Sequence, residues 1–363
     1  MKEWIKQLAV YEPGKPIEEV ARELGFDEVA DIIKVASNEN EFGPSPQAIK
    51  AMSQAIHEMH RYPDGGTFYL KEKLARTLEV EPTQLIFGNG SNELIVFLAH
   101  LFLEPGRALV MSEYAFAVYA LATHLYQGEL IQVPMKAYTH DLQSLRDAIT
   151  ENTRIVVIVN PNNPTGTAVD PIALREFILS LPEDVLAVVD EAYYELMPQE
   201  VRADLLSLIR EGQENLIILR TFSKGYGLAG LRIGYAIGHE KLISQLNRVR
   251  QPFNVNAMAQ IAAMAALDDH AHLNKTAIGS QQGLDQLTSG LHALGIETIP
   301  SAANFLLAKV GHGQKYFKAL KRRKVIVRPM DGYGLPEFIR ISVGTEKQNE
   351  EVLEQLKAVQ EDN

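Results

Sequence analysis

The chain contains no cysteine among its 363 residues. This absence excludes disulfide bonds, catalysis by a thiolate and zinc sites built on cysteine ligands. It is typical of proteins from a reducing compartment, and the N-terminal residues contain no apolar run of signal-peptide length. We therefore expect a cytoplasmic protein.

Positive charge and long apolar runs are also scarce. Acidic residues outnumber basic ones 46 to 35, which gives a formal net charge of −11 at pH 7. Such a surface is poorly suited to nucleic acid, because binding to phosphates requires basic residues that displace counterions. The most apolar stretch, residues 94–103, is too short to span a bilayer and contains His100. The expected partners therefore include neither nucleic acid nor a membrane.

Metal-binding patterns are weak. Residues 57–60 (His-Glu-Met-His) are one residue short of the zinc-protease spacing, and residues 268–272 (Asp-Asp-His-Ala-His) are typical of a polar loop after a helix. We predict no metal site.

Short apolar runs alternate with helix-length amphipathic stretches between about residues 85 and 240, which predicts an α/β fold with a mostly parallel sheet. The predicted strands are residues 85–87, 108–111, 155–159, 186–189, 216–219 and 232–237. After about residue 256 the pattern changes to a smaller α+β domain. We expect an N-terminal segment over residues 1–40 that packs on the small domain or a partner subunit, a large domain over 41–255 and a small domain over 256–363.

Four polar loops follow predicted strands, at the sheet edge where parallel α/β proteins bind ligands. The loops are residues 88–93 (Gly-Asn-Gly-Ser-Asn-Glu), 160–166 (Asn-Pro-Asn-Asn-Pro-Thr-Gly), 190–194 (Asp-Glu-Ala-Tyr-Tyr) and 221–227 (Thr-Phe-Ser-Lys-Gly-Tyr-Gly). Taken singly, each is also compatible with a tight turn, an N-cap or a solvated surface. Together they indicate an anion site at a helix N-terminus, a buried carboxylate and a partly desolvated lysine.

These loops, with Gly-Leu-Arg-Ile-Gly at residues 230–234, resemble the fold-type-I pyridoxal-phosphate aminotransferases of the class I/II family. Within that family the chain is similar to the histidinol-phosphate group, as residues 11–16, 36–40, 61–65, 219–224 and 339–345 indicate. The resemblance implies a large domain with a mostly parallel sheet between helices, a smaller α+β domain and pyridoxal 5′-phosphate as cofactor.

The resemblance also implies roles for individual residues. Lys224 would bind the cofactor covalently and carry protons, Asp190 would pair with the ring nitrogen, and Asn163 and Tyr193 would hydrogen-bond the ring's phenolic oxygen. A ring-stacking aromatic is expected at Phe116, although Tyr114 and Tyr119 leave the register open. The cofactor phosphate would be held by Ser91, Asn92, Thr221, Ser223 and Arg232, with Tyr62 reaching it from a neighbouring subunit.

Substrate contacts are expected from Tyr11, Asn38, Arg328 and Arg340. The resemblance implies a homodimer with shared active sites that transfers an amino group between L-histidinol phosphate and 2-oxoglutarate, giving imidazole-acetol phosphate and glutamate in histidine biosynthesis. The alternatives are an aromatic amino-acid aminotransferase or a threonine-phosphate decarboxylase on the same fold. A non-catalytic cofactor-binding regulatory module is the alternative from a different class. One departure from the group's pattern is Glu41, which stands where a proline is usual and is expected to change the stiffness of this loop or the substrate tolerance.

Overall fold

The computed structural model describes residues 3–8, 10, 17–25 and 32–362. Its helices are α1 (Ile17–Leu24), α2 (Pro46–Ala55), α3 (Phe68–Leu78), α4 (Ser91–Phe102), α5 (Val118–Leu125), α6 (Leu142–Asp147), α7 (Pro171–Leu179), α8 (Leu206–Arg210), α9 (Glu240–Val249), α10 (Ala257–Ala266), α11 (His270–Ala293), α12 (Gly313–Arg322) and α13 (Glu346–Glu361). Its strands are β1 (Ile33–Lys34), β2 (Leu85–Gly88), β3 (Ala108–Ser112), β4 (Glu129–Val133), β5 (Thr153–Val159), β6 (Leu186–Asp190), β7 (Leu216–Thr221), β8 (Gly234–Gly238), β9 (Glu297–Ile299), β10 (Phe305–Lys309), β11 (Val325–Ile326), β12 (Arg328–Pro329) and β13 (Phe338–Ser342).

A seven-stranded sheet in the order β2-β8-β7-β6-β5-β3-β4 forms the centre of the larger part of the molecule. Its strands are parallel except β8, which runs antiparallel to both neighbours. Central strands are buried along their whole length, as continuous apolar runs predict for a sheet with helices on both faces. The edge strand β4 is not among the predicted strands, because it is half-exposed and lacks such a run.

The parallel strands place the four loops at one edge of this sheet. β5, β6 and β7 end at Val159, Asp190 and Thr221, directly before or within the polar segments. β2 ends at Gly88, and α4 begins three residues later, so the N-terminus of α4 lies at the same edge. The topology of the sheet therefore brings the N-terminus of α4, the Asp190 carboxylate and the loop that contains Lys224 to the same edge.

A second, antiparallel sheet in the order β12-β13-β10-β9 packs with α11, α12 and α13 around a separate apolar core. The short strand β1 pairs in parallel with β11. The mostly parallel large sheet and the smaller α+β part confirm the predicted fold class. None of the helices in the described residues is long and apolar enough to cross a membrane.

Helix α10 packs against α2, and its buried alanines belong to the core of the large sheet. The domain limits stay a proposal, and this packing favours a border after α10 rather than at residue 255.

Candidate active site

A cavity of about 730 Å³ opens where the carboxyl edge of the large sheet meets the small sheet. Most of the predicted site residues line it, although they come from segments far apart in the chain. They are Asn38, Ser91, Asn92, Phe116, Asn163, Asp190, Tyr193, Thr221, Ser223, Lys224, Arg232, Arg328 and Arg340.

Lys224 lies in the loop after β7, and its amine is held by backbone carbonyls of the N-terminal segment. Nζ donates hydrogen bonds to the carbonyl oxygens of Asn38 at 2.8 Å and Ser37 at 3.2 Å. Burial, and second the positive charge of Arg340, lower the pKa of Lys224 to about 7. An amine with this pKa is a nucleophile and a proton carrier at neutral pH.

Asp190 ends β6 and is 3% exposed. Its Oδ1 accepts a hydrogen bond from the backbone N–H of Ala192 at 3.1 Å, and its Oδ2 accepts one from the Tyr119 hydroxyl at 3.0 Å. Burial raises the pKa of Asp190 to about 6, and the two hydrogen bonds oppose that rise. The carboxylate is thus held by two hydrogen bonds at the cavity wall, where it can pair with a cationic group.

The opposite end of the cavity is built to hold an anion. Ser91 and Asn92 begin α4, whose first N–H groups and dipole favour negative charge. Gly90 has φ +79°, and a Cβ there would collide with the Arg232 guanidinium. This guanidinium donates a hydrogen bond to the Ser223 hydroxyl at 3.5 Å. The Thr221 hydroxyl donates to Ser223 at 3.0 Å. Glycine lets the backbone and the arginine approach the same point.

Two arginines line the cavity from the small sheet. Arg328 on β12 and Arg340 on β13 are directly opposite each other in the antiparallel register. The Arg340 guanidinium donates to Asn163 Oδ1 at 2.6 Å and to the Ala36 carbonyl at 2.8 Å. Like charges on adjacent strands repel, so an anion beside the two guanidinium groups would stabilise the pair.

Asn38 connects the two sheets at the cavity wall. Its side-chain Nδ2 donates to the Tyr193 hydroxyl at 2.9 Å, and its side-chain Oδ1 accepts a hydrogen bond from the Ser342 hydroxyl at 3.0 Å. Burial raises the pKa of Tyr193 to about 12, so this hydroxyl stays protonated at neutral pH. Asn38 adopts φ +53°, a left-handed conformation that asparagine tolerates better than most residues.

Of the three candidate aromatics, the structure brings Phe116 to the cavity. Tyr119 is buried beneath the wall, and Tyr114 has φ +54° and packs beside Tyr138 and Leu335. Tyr62 lies outside this cavity, 84% exposed and stacked on Phe253 with ring centroids 4.9 Å apart. Tyr11 lies outside the described residues.

Comparisons with known proteins agree with this geometry. The family model for class I and II aminotransferases matches residues 30–356. The chain belongs to this aminotransferase family. It is 49% identical over 355 residues to histidinol-phosphate aminotransferase 1 of Thiobacillus denitrificans, covering 98% of this chain and 92% of that one. It is 46% identical over 356 residues to histidinol-phosphate aminotransferase of Akkermansia muciniphila, covering 98% and 97%.

The fold comparison gives the same family. The crystal structure of histidinol-phosphate aminotransferase from Sinorhizobium meliloti, in complex with pyridoxal-5′-phosphate, superposes with a TM-score of 0.90 at 29% identity. The match covers 100% of this chain and 98% of that one. The family expected from the loop motifs is confirmed.

Sequence reasoning missed several residues that support this aminotransferase site. Asn304 donates to the carbonyls of Asn38 at 3.3 Å and Glu39 at 3.1 Å, and Asn40 donates to the carbonyl of Lys224 at 3.0 Å. Asparagines in loops give no sequence signal for such long-range contacts.

The loop that carries Glu41 is connected to the first turn of α13. Glu41 Oε2 accepts a hydrogen bond from the Gln348 side chain at 2.9 Å.

A buried ion pair lies behind the cavity. The Arg220 guanidinium on β7 donates to Glu191 Oε2 through two nitrogens, at 2.8 and 2.7 Å, and it lies 3.5 Å from the centroid of the Tyr194 ring. Both charged side chains are below 5% exposed, at 4% and 3%. Because Glu191 follows Asp190 and Arg220 precedes Thr221, the pair ties together the two strand ends that carry the site. No cluster of metal-ligating side chains occurs in the part of the chain that the structure describes.

Proposed function

We propose that this aminotransferase uses pyridoxal 5′-phosphate to transfer an amino group between L-histidinol phosphate and 2-oxoglutarate. The observation that carries the proposal is the pair Arg328 and Arg340, in register on adjacent strands and lining the same cavity as Lys224 and Asp190. The curated relatives named histidinol-phosphate aminotransferase support the substrate. The proposed reaction is a step of histidine biosynthesis.

The residues present fit the cofactor. The site combines an anion cradle that Cβ atoms at Gly90 and Gly234 would fill, a buried carboxylate and a partly buried lysine whose pKa is lowered to about 7. An aromatic ring, Phe116, lines the wall of the same cavity. When bound, pyridoxal 5′-phosphate supplies an electron sink that stabilises negative charge at the substrate's α-carbon.

The protein's own residues then bind, orient and move protons. Arg232, Ser223 and the N-terminus of α4 would hold the cofactor phosphate. Asp190 would face the ring nitrogen, while Asn163 and Tyr193 would hydrogen-bond the phenolic oxygen. Lys224 would attach the cofactor and accept and release a proton at Nζ, because its pKa of about 7 suits both directions at neutral pH.

The two arginines determine which substrates are held productively. A phosphate monoester carries close to two negative charges at neutral pH and can accept hydrogen bonds from two guanidinium groups. The second substrate, glutamate or 2-oxoglutarate, has a distal carboxylate that binds the same arginines with one charge fewer. Substrates with an apolar side chain, such as phenylalanine, would offer no anionic side-chain group to either arginine.

The test compares half-reactions. We expect L-histidinol phosphate to convert the cofactor's visible absorption to that of the pyridoxamine form, and 2-oxoglutarate to reverse the change. Arg328→Gln should raise KM for histidinol phosphate about tenfold or more, as loss of a charge-assisted hydrogen bond implies. Arg323→Gln is the matched control, because Arg323 does not line the cavity and pairs with Asp362, just after α13, at 2.6 Å. Faster conversion by phenylalanine, or carbon dioxide release from threonine phosphate, would favour the alternatives and overturn the substrate assignment.

We also propose a cytoplasmic homodimer in which Tyr62 contributes to the partner subunit's cofactor phosphate site. Large aromatic side chains near Tyr62 are exposed to a degree that is unusual for a monomer's surface. They are Tyr62 at 84%, Tyr69 at 70%, Phe68 at 58% and Phe253 at 48%.

The dimer has a direct test. Light scattering should give twice the 40.4 kDa chain mass. If the sites are shared, mixing the weakly active variants Tyr62→Ala and Lys224→Ala should restore activity, because a mixed dimer contains one native site. A monomer, or a mixture no more active than its components, would refute the shared site.

A further inference from the structure

Tyr119 carries a buried hydroxyl that the proposed chemistry does not yet use. The residue is on α5, is 2% exposed and donates to Asp190 Oδ2 at 3.0 Å. Burial, and second the negative charge of Asp190, raise the pKa of Tyr119 well above its usual value. The hydroxyl therefore stays protonated at neutral pH and acts as a donor to Asp190.

The surroundings of Tyr119 make this hydrogen bond strong. The ring is packed among apolar side chains of α4, β3, β5 and β6, including Leu98, Leu109 and Val188. In such a low-dielectric environment a hydrogen bond to a carboxylate is worth more than at the surface, and an unpaired hydroxyl would be costly.

Charged and titratable groups reach Asp190 from several elements. Glu191, next in the chain, disfavours a negative charge at Asp190, although Arg220 partly neutralises it. Tyr193 is close enough for its pKa to be raised by Asp190, and Lys224 lines the same cavity. Within the described residues, Tyr119 provides the side-chain donor that favours the ionised form.

We propose that Tyr119 is a positioning residue that keeps Asp190 ionised and orients it toward the ring nitrogen of the cofactor. A carboxylate can accept about four hydrogen bonds. The bonds from Tyr119 and from the Ala192 N–H hold both oxygens and leave further acceptor positions on a side chain that lines the cavity. The inference rests on the proposed function, since it needs a cationic ring nitrogen opposite Asp190.

The first experiment uses the cofactor-free protein and measures the proton affinity of Asp190 directly. Carbon-13 NMR of carboxyl-labelled aspartates, with the Asp190 signal assigned by Asp190→Asn, gives its titration midpoint. In Tyr119→Phe we expect this midpoint to move upward, which corresponds to a roughly tenfold to hundredfold higher proton affinity. Tyr126→Phe is the matched control, because Tyr126 lies just beyond the same helix and packs on His100 rather than Asp190.

The second experiment tests whether Tyr119 acts through Asp190. Tyr119→Phe should weaken the affinity for pyridoxal 5′-phosphate about tenfold at neutral pH, and the loss should shrink at higher pH, where Asp190 is ionised again. In the Asp190→Asn background the same substitution should change the affinity less than twofold, since its target is already lost. A purely structural role would give the same loss in both backgrounds.

The outcomes separate the two proposals. If the wild-type protein does not bind pyridoxal 5′-phosphate, the proposed function fails, whatever Tyr119 does. If the wild type binds the cofactor but Tyr119→Phe leaves the Asp190 midpoint unchanged, or its effect adds to that of Asp190→Asn, the inference about Tyr119 is wrong and the function stands. Circular dichroism of Tyr119→Phe checks its fold, and the phenyl ring fills the same space as the tyrosine.

Discussion

Removing the negative charge of Glu191 should destabilise the whole protein, although Glu191 does not line the cavity. The Arg220 side chain is 4% exposed, and its guanidinium donates two hydrogen bonds to one Glu191 oxygen. Burial by itself would lower the pKa of Arg220, but the Glu191 carboxylate raises it above the usual value, so the guanidinium stays charged. Glu191→Gln therefore leaves a buried cation without its main counter-charge, and such losses cost about 3 to 5 kcal/mol.

The neighbouring carboxyl of Glu195 places the expected loss at the lower end. Burial raises the pKa of Glu195 to about 7, and Arg220 opposes this rise. When Glu191 is neutral, Glu195 ionises more readily and replaces part of the lost attraction. We therefore expect Glu191→Gln to lower the free energy of unfolding by about 3 kcal/mol.

Equilibrium urea unfolding of the cofactor-free protein, followed by circular dichroism, measures this loss. The matched control is Glu211→Gln, whose partner Arg175 lies 3.2 Å away in a pair that is 61% and 35% exposed. That surface pair should contribute less than about 1 kcal/mol. The double variant Glu191→Gln with Arg220→Gln should lose less than the sum of the single losses, by about 1 to 3 kcal/mol. A loss for Glu191→Gln no larger than for the control would refute the reasoning.

Two further predictions concern pH. Covalent binding of pyridoxal 5′-phosphate needs the neutral amine of Lys224, so the binding rate measured by stopped flow should rise with pH around a midpoint of about 7. Arg340→Gln should move that midpoint upward, because the positive charge of Arg340 lowers the pKa of Lys224. A midpoint near the ordinary lysine value of 10.5 would contradict the argument that burial lowers this pKa. His140 is buried between the Ser112 hydroxyl at 2.7 Å and the Val159 carbonyl at 2.9 Å, and burial lowers the pKa of His140 to about 4. Because the folded pKa is below the unfolded value of 6.5, the neutral imidazole stabilises the protein above pH 6.5, and about 3 kcal/mol is lost as pH falls toward 4. Unfolding at several pH values should show this dependence reduced in His140→Gln and retained in the exposed control His292→Gln; equal pH dependence in all three proteins would show that His140 is not held neutral.

The sequence by itself determined the family, the order of the buried central strands along the chain and the chemical groups at the ends of those strands. Buried strands give continuous apolar runs, and loops such as residues 221–227 combine residue types that few turns require together. This local information was sufficient to predict that Lys224, Asp190 and Arg232 lie near one another at the edge of the sheet, because each lies within two residues of a strand terminus or within such a motif.

The tertiary structure decided which side chains meet. Three aromatics in six residues left the assignment open, and packing brought Phe116 to the cavity and the Tyr119 hydroxyl to Asp190. The hydrogen bond from Asn304 to the Asn38 carbonyl, and the position of Arg328 opposite Arg340, also depend on how distant segments pair. The edge strand β4 was missed since its residues are only partly buried. Contacts of this kind join residues far apart in the chain, and no local pattern of polarity records which distant partner a side chain will find once the core has packed.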